Sequence, residues 1–513
     1  MSSEKQSPVE KLKIAIDGIK SREHEEGRLS FKEHYSFGLT RFGYGMINKM
    51  ADYLQQFYIA IGIEIKTASQ MRSLLRIWEM VNDTFSATVI DRPGKAQESG
   101  TSIVKTGREG KFTRFLAPLA PFLAISAVLM FIRLPFDNIN NVIIASAVAY
   151  ALWYMFRAFS DISINSMQAV MSPLLDERST YLTVGNLGNT LSGAIPGLIP
   201  VAYDILTKSK TNEVTGEITR SAILSEASFF TYCAVVFCAI GLLAVLFSKN
   251  LKERVFAAAN DNKPLQNFIT FFKNKTMLLL WSSNLANIIA TIGWEAGPLF
   301  FTRGIKNYTL QSILWSATGI PSFAVSLLSP WFLKRFTPRK VVVFNKLLCA
   351  ACMFGMYFAV SRAGYSTALG YGLIIAFNVI SSIPTGVSGI AEQICFVNTF
   401  DYTELKTGER AEATTYAVTG ILNKGVAAIG IALAGYLLGR AGFVSGEGIE
   451  LAQNTKDALF MFWSVMQGIG HLLFAIPYFF YKLEGDKLDE IQDELARRRG
   501  EKLVTVERAD VGA

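Results

Sequence analysis

Long apolar blocks separated by short polar stretches make up most of the chain. About twelve blocks are present, most of them roughly 18–28 residues long, and a helix of that length crosses a hydrocarbon core of ~30 Å. They cover residues 35–62, 67–90, 112–134, 140–168, 180–204, 222–248, 276–301, 310–333, 341–361, 366–398, 412–440 and 456–482. The pattern predicts an all-α membrane protein with twelve transmembrane helices.

A long polar stretch, SKNLKERVFAAANDNKPLQNFITFFKNK, divides the blocks into two groups of six. One long central connection with short loops elsewhere resembles the two-bundle plan of the major facilitator fold. The predicted organisation is a cytoplasmic tail, a six-helix bundle, a central cytoplasmic loop, a second six-helix bundle and a cytoplasmic tail, at residues 1–34, 35–248, 249–275, 276–482 and 483–513.

Composition and charge agree with a multi-pass membrane protein. Half of the 513 residues are hydrophobic and the mean hydropathy is +0.29, so a single soluble helical core would lack the polar surface it needs. The net charge is +8, but with both termini inside, the inside tails and loops hold 34 of the 50 Lys and Arg. This is the positive-inside bias of membrane proteins, and it does not indicate nucleic-acid binding.

Several other classes find no support in the sequence. No apolar run precedes Tyr35, so we expect no signal peptide and a place in a bacterial inner membrane or a plasma membrane. The histidines give no Ser-His-Asp set, and GREGKFT lacks a glycine and a hydroxyl residue of the phosphate loop. Cys349 and Cys352 have no second pair nearby, which predicts ordinary packing. We expect a monomeric, lipid-embedded protein that is not an enzyme and has no cofactor.

Polar and ionisable residues inside the apolar blocks carry the functional information. Each charged group costs roughly 2.5–3.5 kcal/mol at a helix centre, so each is expected to face a cavity or a partner. These residues lie in the first, second, fourth, seventh, tenth and eleventh blocks: Arg41, Lys49, Asp52 and Gln56; Arg76, Glu79, Asn82 and Asp83; Arg157, Asp161, Asn165 and Gln168; Asn284, Asn287 and Glu295; Glu392; and Asn423 with Lys424.

Three carboxylates in the first half predict a cation site. Glu79 and Asp83 are four residues apart, so they share one face of a helix, and Asp161 lies in the fourth block. Bare carboxylates in a cavity of low dielectric constant require a cation or a proton, and a hard cation such as sodium prefers several oxygen ligands. The sequence does not decide whether the coupling ion is sodium or a proton.

The alternative is that neighbouring bases neutralise these acids within their own helices. The pairs at helical spacing are Arg76 with Glu79, Arg157 with Asp161, and Lys49 with Asp52. For Glu79 and Asp83 the pattern favours a cation site, because two acids share a face with one adjacent base.

Several separated motifs, in the right order, resemble the glycoside–pentoside–hexuronide:cation symporters over residues 35–500. RIWEMVND is similar to their second-helix signature R-x-W-D-x-x-x-D. The other motifs are GKF after the second block, Asp161 followed by DER at 176–178, VFAAANDN in the central loop, FDYTELKTGERAEATTYAVTGILNKG at 400–425 and the tail YKLEGDKLDEIQ.

The resemblance implies a cation site built from two acids of the second helix and one of the fourth. Glu79, Asp83 and Asp161 match these acids and would hold Na⁺ if the carrier is sodium-coupled. Asn82 stands beside them as in the family, and Lys424 matches the eleventh-helix lysine that contacts the site. Glu79 stands where aspartate is usual, which leaves proton coupling open.

The sugar site departs from that of the galactoside carriers in this family. Their first-helix Lys-Asp pair matches Tyr44 and Gly45, their fifth-helix arginine matches Asn186, and aromatics of their fourth and tenth helices match Asn165 and Gly389. A different set of substrate-binding candidates results: Lys49, Asp52, Arg157, Asn165, Asn186, Trp294, Glu392 and Lys424.

The predicted function is cation-coupled symport of a sugar-like solute, in which the two bundles rock about a central site. Two substrate classes remain open. A uronide, acidic glycoside or zwitterion would use the charged candidates, whereas a neutral glycoside fits if those charges pair internally. A lysolipid-like solute, as carried by animal proteins of this fold, and a non-transporting sensor are further alternatives.

Overall fold

The structure, a computed structural model, describes residues 29–90, 112–171, 175–211, 218–222, 224–253, 271–272, 274–407, 412–446 and 449–499. The chain divides into two compact units. The first contains Met1–Asn260 with the short segment Val444–Ile449, and the second contains Asp261–Phe443 and Glu450–Ala513.

The described part of the first unit is helical apart from one hairpin. Its helices are α1 (Phe31–Lys49), α2 (Leu54–Ala60), α3 (Ile65–Ile90), α4 (Thr113–Leu129), α5 (Ile139–Val170), α6 (Leu175–Ala194), α7 (Ile199–Leu206) and α8 (Glu226–Val245), with 3₁₀ turns at Met50–Tyr53, Pro196–Leu198 and Leu246–Asn250. Ser30 and Glu33 form a capping box that fixes the start of α1. The antiparallel strands β1 (Thr207–Thr211) and β2 (Ile218–Ala222) lie between α7 and α8.

The described part of the second unit is helical. It contains α9 (Lys275–Ser282), α10 (Asn287–Leu299), α11 (Tyr308–Ser326), α12 (Ser329–Arg335), α13 (Pro338–Ala363), α14 (Ala368–Ser382), α15 (Thr385–Thr407), α16 (Glu412–Arg440), α17 (Gln453–Met461), α18 (Gln467–Phe480) and α19 (Asp486–Arg499). A 3₁₀ turn at Ser283–Ala286 joins α9 to α10, and π-helical turns at Phe300–Gly304 and Phe462–Met466 follow α10 and α17.

Every predicted apolar block coincides with a helix or a helical run. The block at 366–398 is broken between α14 and α15 at Ile383 and Pro384. Ile383 keeps helical dihedral angles, and the break arises because Pro384 has no backbone N–H to donate and its ring crowds the preceding turn. The β-hairpin before α8 is an addition that the apolar pattern did not predict. Residues 9–20, where the sequence has apolar residues at helical spacing, lie outside the described residues.

Seven helical segments of the described chain are long and apolar enough to cross a membrane. α3 falls outside this set because Arg and acidic residues lower its mean hydropathy, and α4 is apolar but shorter. The count of twelve spans therefore stays a prediction from the sequence.

Close packing places α1, which carries polar residues of the site, against α6. A Cβ atom added to Gly188 of α6 would lie 2.1 Å from the carbonyl oxygen of Gly38, and one added to Gly45 would lie 1.9 Å from the Ser192 Oγ. Small residues allow helices in a membrane protein to approach in this way. Larger residues at these positions would push the two helices apart.

Candidate functional site

Glu79 lies buried between α3 and α5, and both of its carboxylate oxygens have partners. Its Oε2 accepts from the Arg76 Nη1 at 2.8 Å, and its Oε1 accepts from the Tyr150 hydroxyl at 2.6 Å. The side chain is 0% exposed, whereas that of Arg76 is 30% exposed. A buried carboxylate requires such charge-assisted hydrogen bonds, so Glu79 is held in one position.

One helical turn further along α3, Asn82 and Asp83 meet the next turn of α5. The buried amide of Asn82 donates to the carbonyl oxygen of Tyr154 at 3.1 Å, and the hydroxyl of Tyr154 donates to Asp83 Oδ1 at 3.2 Å. Asp83 is only partly buried. Its carboxylate is therefore more accessible than that of Glu79.

Asp161 joins the cluster from α5 and is bound from two directions. Its Oδ2 accepts from the Arg157 Nε at 3.0 Å, and its Oδ1 accepts from the amide of Asn48 on α1 at 3.2 Å. The guanidinium of Arg157 also lies over the rings of Trp153 and Tyr154, 4.9 and 5.6 Å from their centroids. Arg157 thus links Asp161 to Tyr154, whose hydroxyl contacts Asp83.

The spacing along α5 explains why these groups come together. Tyr150, Tyr154, Arg157 and Asp161 follow one another at intervals of four, three and four residues, which places them on one face of the helix. Tyr150 and Tyr154 face the acids of α3 at matching intervals. Neither tyrosine was among the residues predicted for the site, although their spacing with Arg157 and Asp161 was a signal for them.

All three predicted pairs at helical spacing are formed in the structure. Lys49 and Asp52 lie 3.3 Å apart with side chains 48% and 56% exposed. In the Arg157–Asp161 pair the side chains are 31% and 37% exposed, and Arg76 with Glu79 forms the buried pair described above. Exposed pairs contribute up to about 1 kcal/mol, whereas breaking a buried pair costs about 3–5 kcal/mol. The three pairs therefore differ in how readily a cation could separate them.

The remaining substrate candidates of the first unit lie beside this cluster on α5 or on the neighbouring helix α6. The Oδ1 of Asn165, one turn beyond Asp161 on α5, accepts from Arg41 of α1 at 3.0 Å. Asn186 lies exposed on α6. Arg41 and Asn48 thus bring α1 to the charged face of α5.

Three predicted substrate residues belong to the second unit. Trp294 on α10 is 66% exposed. Glu392 on α15 lies 2.9 Å from the Nζ of Lys346 and accepts from Ser388 at 3.0 Å. Lys424 lies half-buried on α16. Glu392 is another acid that pairs with a nearby base.

A protein-family model described as "MFS/sugar transport protein" matches residues 36–485. Among similar proteins, the uncharacterized symporter YjmB of Bacillus subtilis (strain 168) is 24% identical, covering 92% of this chain and 97% of the relative. A glucuronide carrier protein homolog of Escherichia coli (strain K12) is also 24% identical, covering 87% of this chain and 91% of the relative.

The fold is likewise found among solved structures. A crystal structure of a bacterial homolog of the human lysosomal transporter Spinster aligns with a TM-score of 0.57 and 13% identity, covering 88% of this chain and 96% of that chain. At this level of identity the likeness concerns the fold alone. The alignment covers most of both chains, so it extends over both units.

Proposed function

The chain belongs to the MFS/sugar transport protein family, and we propose that it couples the symport of a sugar-like solute to the movement of a cation. The all-α major facilitator fold and the likeness to the glycoside–pentoside–hexuronide:cation symporters are confirmed by the family match and its relatives. The protein is a membrane-spanning transport protein. We further propose a monomer in the cell (inner) membrane with both termini in the cytoplasm.

The observation that carries the proposal is the cluster of Glu79, Asp83 and Asp161. The three acids come from two helices and are joined through Tyr150, Tyr154 and Arg157 on one face of α5. A carboxylate has about four acceptor positions, so even Glu79, with two described donors, retains the capacity to bind a cation. Among the described residues, no three Asp, Glu, His or Cys side chains are arranged to hold a metal ion. We propose that a hard cation, which prefers several oxygen ligands, binds after these acids move closer together.

From the burial of each acid, we propose a role for it in cation binding. Glu79 is the fixed arm, because its pair with Arg76 is buried. Asp161 is the exchangeable arm, since its pair with Arg157 is about one-third exposed and separating an exposed pair costs little. Asp83 and Asn82 supply further oxygen ligands, in addition to those of Glu79 and Asp161. Sodium or a proton would enter as Arg157 moves away from Asp161.

Coupling follows if the cation and the solute stabilise the same arrangement of these helices. Each ligand then raises the affinity for the other by the same factor, typically about 5–150-fold. The solute is proposed to be a glycoside, pentoside or uronide, and the similarity to a glucuronide carrier homolog supports this range. The candidates Lys49, Asp52, Arg157, Asn165, Asn186, Trp294, Glu392 and Lys424 remain proposals for its binding site.

Proteoliposomes loaded with a sodium or a proton gradient test the proposal. We expect gradient-driven uptake of at least one member of a panel of methyl glycosides, pentosides and uronides. Asp83→Asn and Asp161→Asn should abolish the gradient-driven part of uptake. Asp137→Asn, an exposed acid between α4 and α5, is the matched control and should retain it.

Two results would contradict the proposal: no gradient-driven uptake of any solute in the panel, or unchanged uptake in both asparagine variants of the cluster. Uptake that responds to a proton gradient alone would identify the coupling ion as a proton. Stimulation by sodium in the absence of a proton gradient would identify it as sodium. Either ion is compatible with the cluster.

A further inference from the structure

A cavity of about 370 Å³ lies within the second unit, between α10, α11, α13, α14 and α18. Its volume is in the range of small-molecule sites, about 300–1,000 Å³. Three tryptophans line it: Trp294, Trp315 and Trp463. No Asp, Glu, Lys or Arg is among the described residues that line it, which distinguishes it from the acidic cluster of the first unit.

Both π-helical turns of the described chain contribute to the wall of this cavity. Phe301 belongs to the turn Phe300–Gly304, and Trp463 belongs to the turn Phe462–Met466. The two rings pack edge to face with centroids 5.0 Å apart. Single π-helical turns occur frequently at functional sites because they redirect side chains within a helix.

Two glycines of α10 allow this aromatic wall to pack closely. A Cβ atom added to Gly297 would lie 2.8 Å from Cδ1 of Trp463, and one added to Gly293 would lie 2.5 Å from Cγ of Gln467. Both distances are shorter than ordinary carbon contacts. Trp463 and Gln467 therefore rest directly on the backbone of α10, which fixes their positions at the cavity.

The polar lining can hydrogen-bond to a ligand. Gln467 and His471 are four residues apart on one face of α18 and both line the cavity. Neither side chain makes a hydrogen bond to another residue in the described part of the chain. A third polar residue, Asn378, donates its amide to the carbonyl oxygen of Ile374 at 2.8 Å, which leaves its side-chain oxygen as an acceptor.

We propose that this cavity binds the uncharged, polyhydroxylated ring of a solute. The apolar face of such a ring packs against the indoles, and its hydroxyl groups bond to Gln467, His471 and Asn378. A ring with a carboxylate is disfavoured, because the lining offers no lysine or arginine and a buried charge without a partner is costly. The inference rests on the proposed function for the choice of a sugar, and it selects neutral glycosides over uronides.

Gly319 offers a way to fill the cavity. It lines the cavity on α11, and a Cβ atom added there meets no atom within 4 Å. Leucine is a better helix former than glycine, so Gly319→Leu should fold normally. Gly372→Leu is the matched control, since Gly372 also faces open space but lies on α14 away from the lining.

The test is the thermal stabilisation of purified protein by neutral methyl glycosides and by methyl glucuronide, without an ion gradient. We expect at least one neutral glycoside to stabilise the natural protein and the Gly372→Leu variant, with no effect of the glucuronide. Gly319→Leu should weaken the affinity at least about tenfold. Gln467→Met, which keeps the packing on Gly293, should weaken it about 3–10-fold through the loss of one or two hydrogen bonds.

Equal affinity of the Gly319→Leu and natural proteins would overturn the inference, as would the absence of stabilisation by any neutral glycoside. Stabilisation by a fatty acid or lysolipid that Gly319→Leu removes, with no effect of sugars, would also overturn it and identify an acyl-chain site. Failure of the proposed function looks different, because gradient-driven uptake is then absent while glycosides still stabilise the protein through this cavity.

Discussion

An Arg76→Gln substitution leaves the carboxylate of Glu79 in its buried position without the guanidinium that pairs with it. The carboxylate is 0% exposed and lies 2.8 Å from Arg76, while Arg76 itself is 30% exposed. The Tyr150 hydroxyl, at 2.6 Å, remains as a donor. The variant therefore isolates the effect of an unpaired buried charge.

The size of the effect follows from this geometry. Removing one partner of a buried ion pair costs about 3–5 kcal/mol, and the exposure of Arg76 favours the lower end. At about 2–4 °C per kcal/mol for a unit of this size, a loss of about 3 kcal/mol lowers the midpoint of thermal unfolding by roughly 6–12 °C. Glu79→Gln should cost less, because the remaining guanidinium is partly exposed.

The assay is a double-mutant cycle of Arg76→Gln, Glu79→Gln and the double variant. Apparent midpoints are measured at one fixed scan rate, since membrane proteins often unfold irreversibly, and without sodium, so that cation binding does not contribute. The double variant should recover at least about 1 kcal/mol relative to Arg76→Gln, because no buried charge is left. Arg133→Gln, an exposed residue after α4, is the control and should stay within about 0.5 kcal/mol.

Additive effects of the two substitutions would refute the reasoning, because additivity means that the charges do not interact. A midpoint for Arg76→Gln within about 2 °C of the natural protein, on the same scale, would refute it as well. The pairing of Glu79 with Arg76 would then not stabilise the fold, and the proposed role of Glu79 as the fixed carboxylate of the site would fall with it.

Two further substitutions test contacts that hold each unit together. Glu253 is buried and its Oε1 accepts from the backbone amides of Phe112 and Thr113 at 2.8 Å each. Glu253→Ala should lower the free energy of unfolding by about 1–2 kcal/mol in a thermal unfolding assay, as for other lost helix caps. A change below about 0.5 kcal/mol would contradict this prediction. Lys346 is 14% exposed and pairs with Glu392. Lys346→Met should lower the free energy of unfolding by about 1–3 kcal/mol in the same assay. Adding Glu392→Gln to this variant should restore part of the lost stability.

Much of the fold could be predicted from the sequence because a bilayer imposes a simple rule. A helix must remain apolar over about 20 residues to cross hydrocarbon, so every block longer than this was visible in the sequence and became a helical run. The interruptions of these helical runs were harder to predict from the sequence. The interruption at Pro384 follows from local chemistry, whereas the hairpin Thr207–Thr211 with Ile218–Ala222 arises in a polar segment with no apolar periodicity to indicate it.

The local ion pairs were also determined by the sequence. Arg76 with Glu79, and Arg157 with Asp161, lie three or four residues apart, and helical geometry makes such residues neighbours in any fold. The acids of the candidate cation site were visible for the same reason, as carboxylates at helical spacing in apolar blocks.

Contacts between helices were decided by the tertiary structure. The bonds of Tyr150 to Glu79 and of Asn48 to Asp161, and the cap that Glu253 places on α4, join residues at least 71 positions apart. Helical periodicity tells which face a residue occupies, but the rotation and vertical offset of two packed helices depend on side-chain packing along their whole contact. For this reason the sequence identified the three acids, and only the folded chain showed which one is buried and which two are accessible.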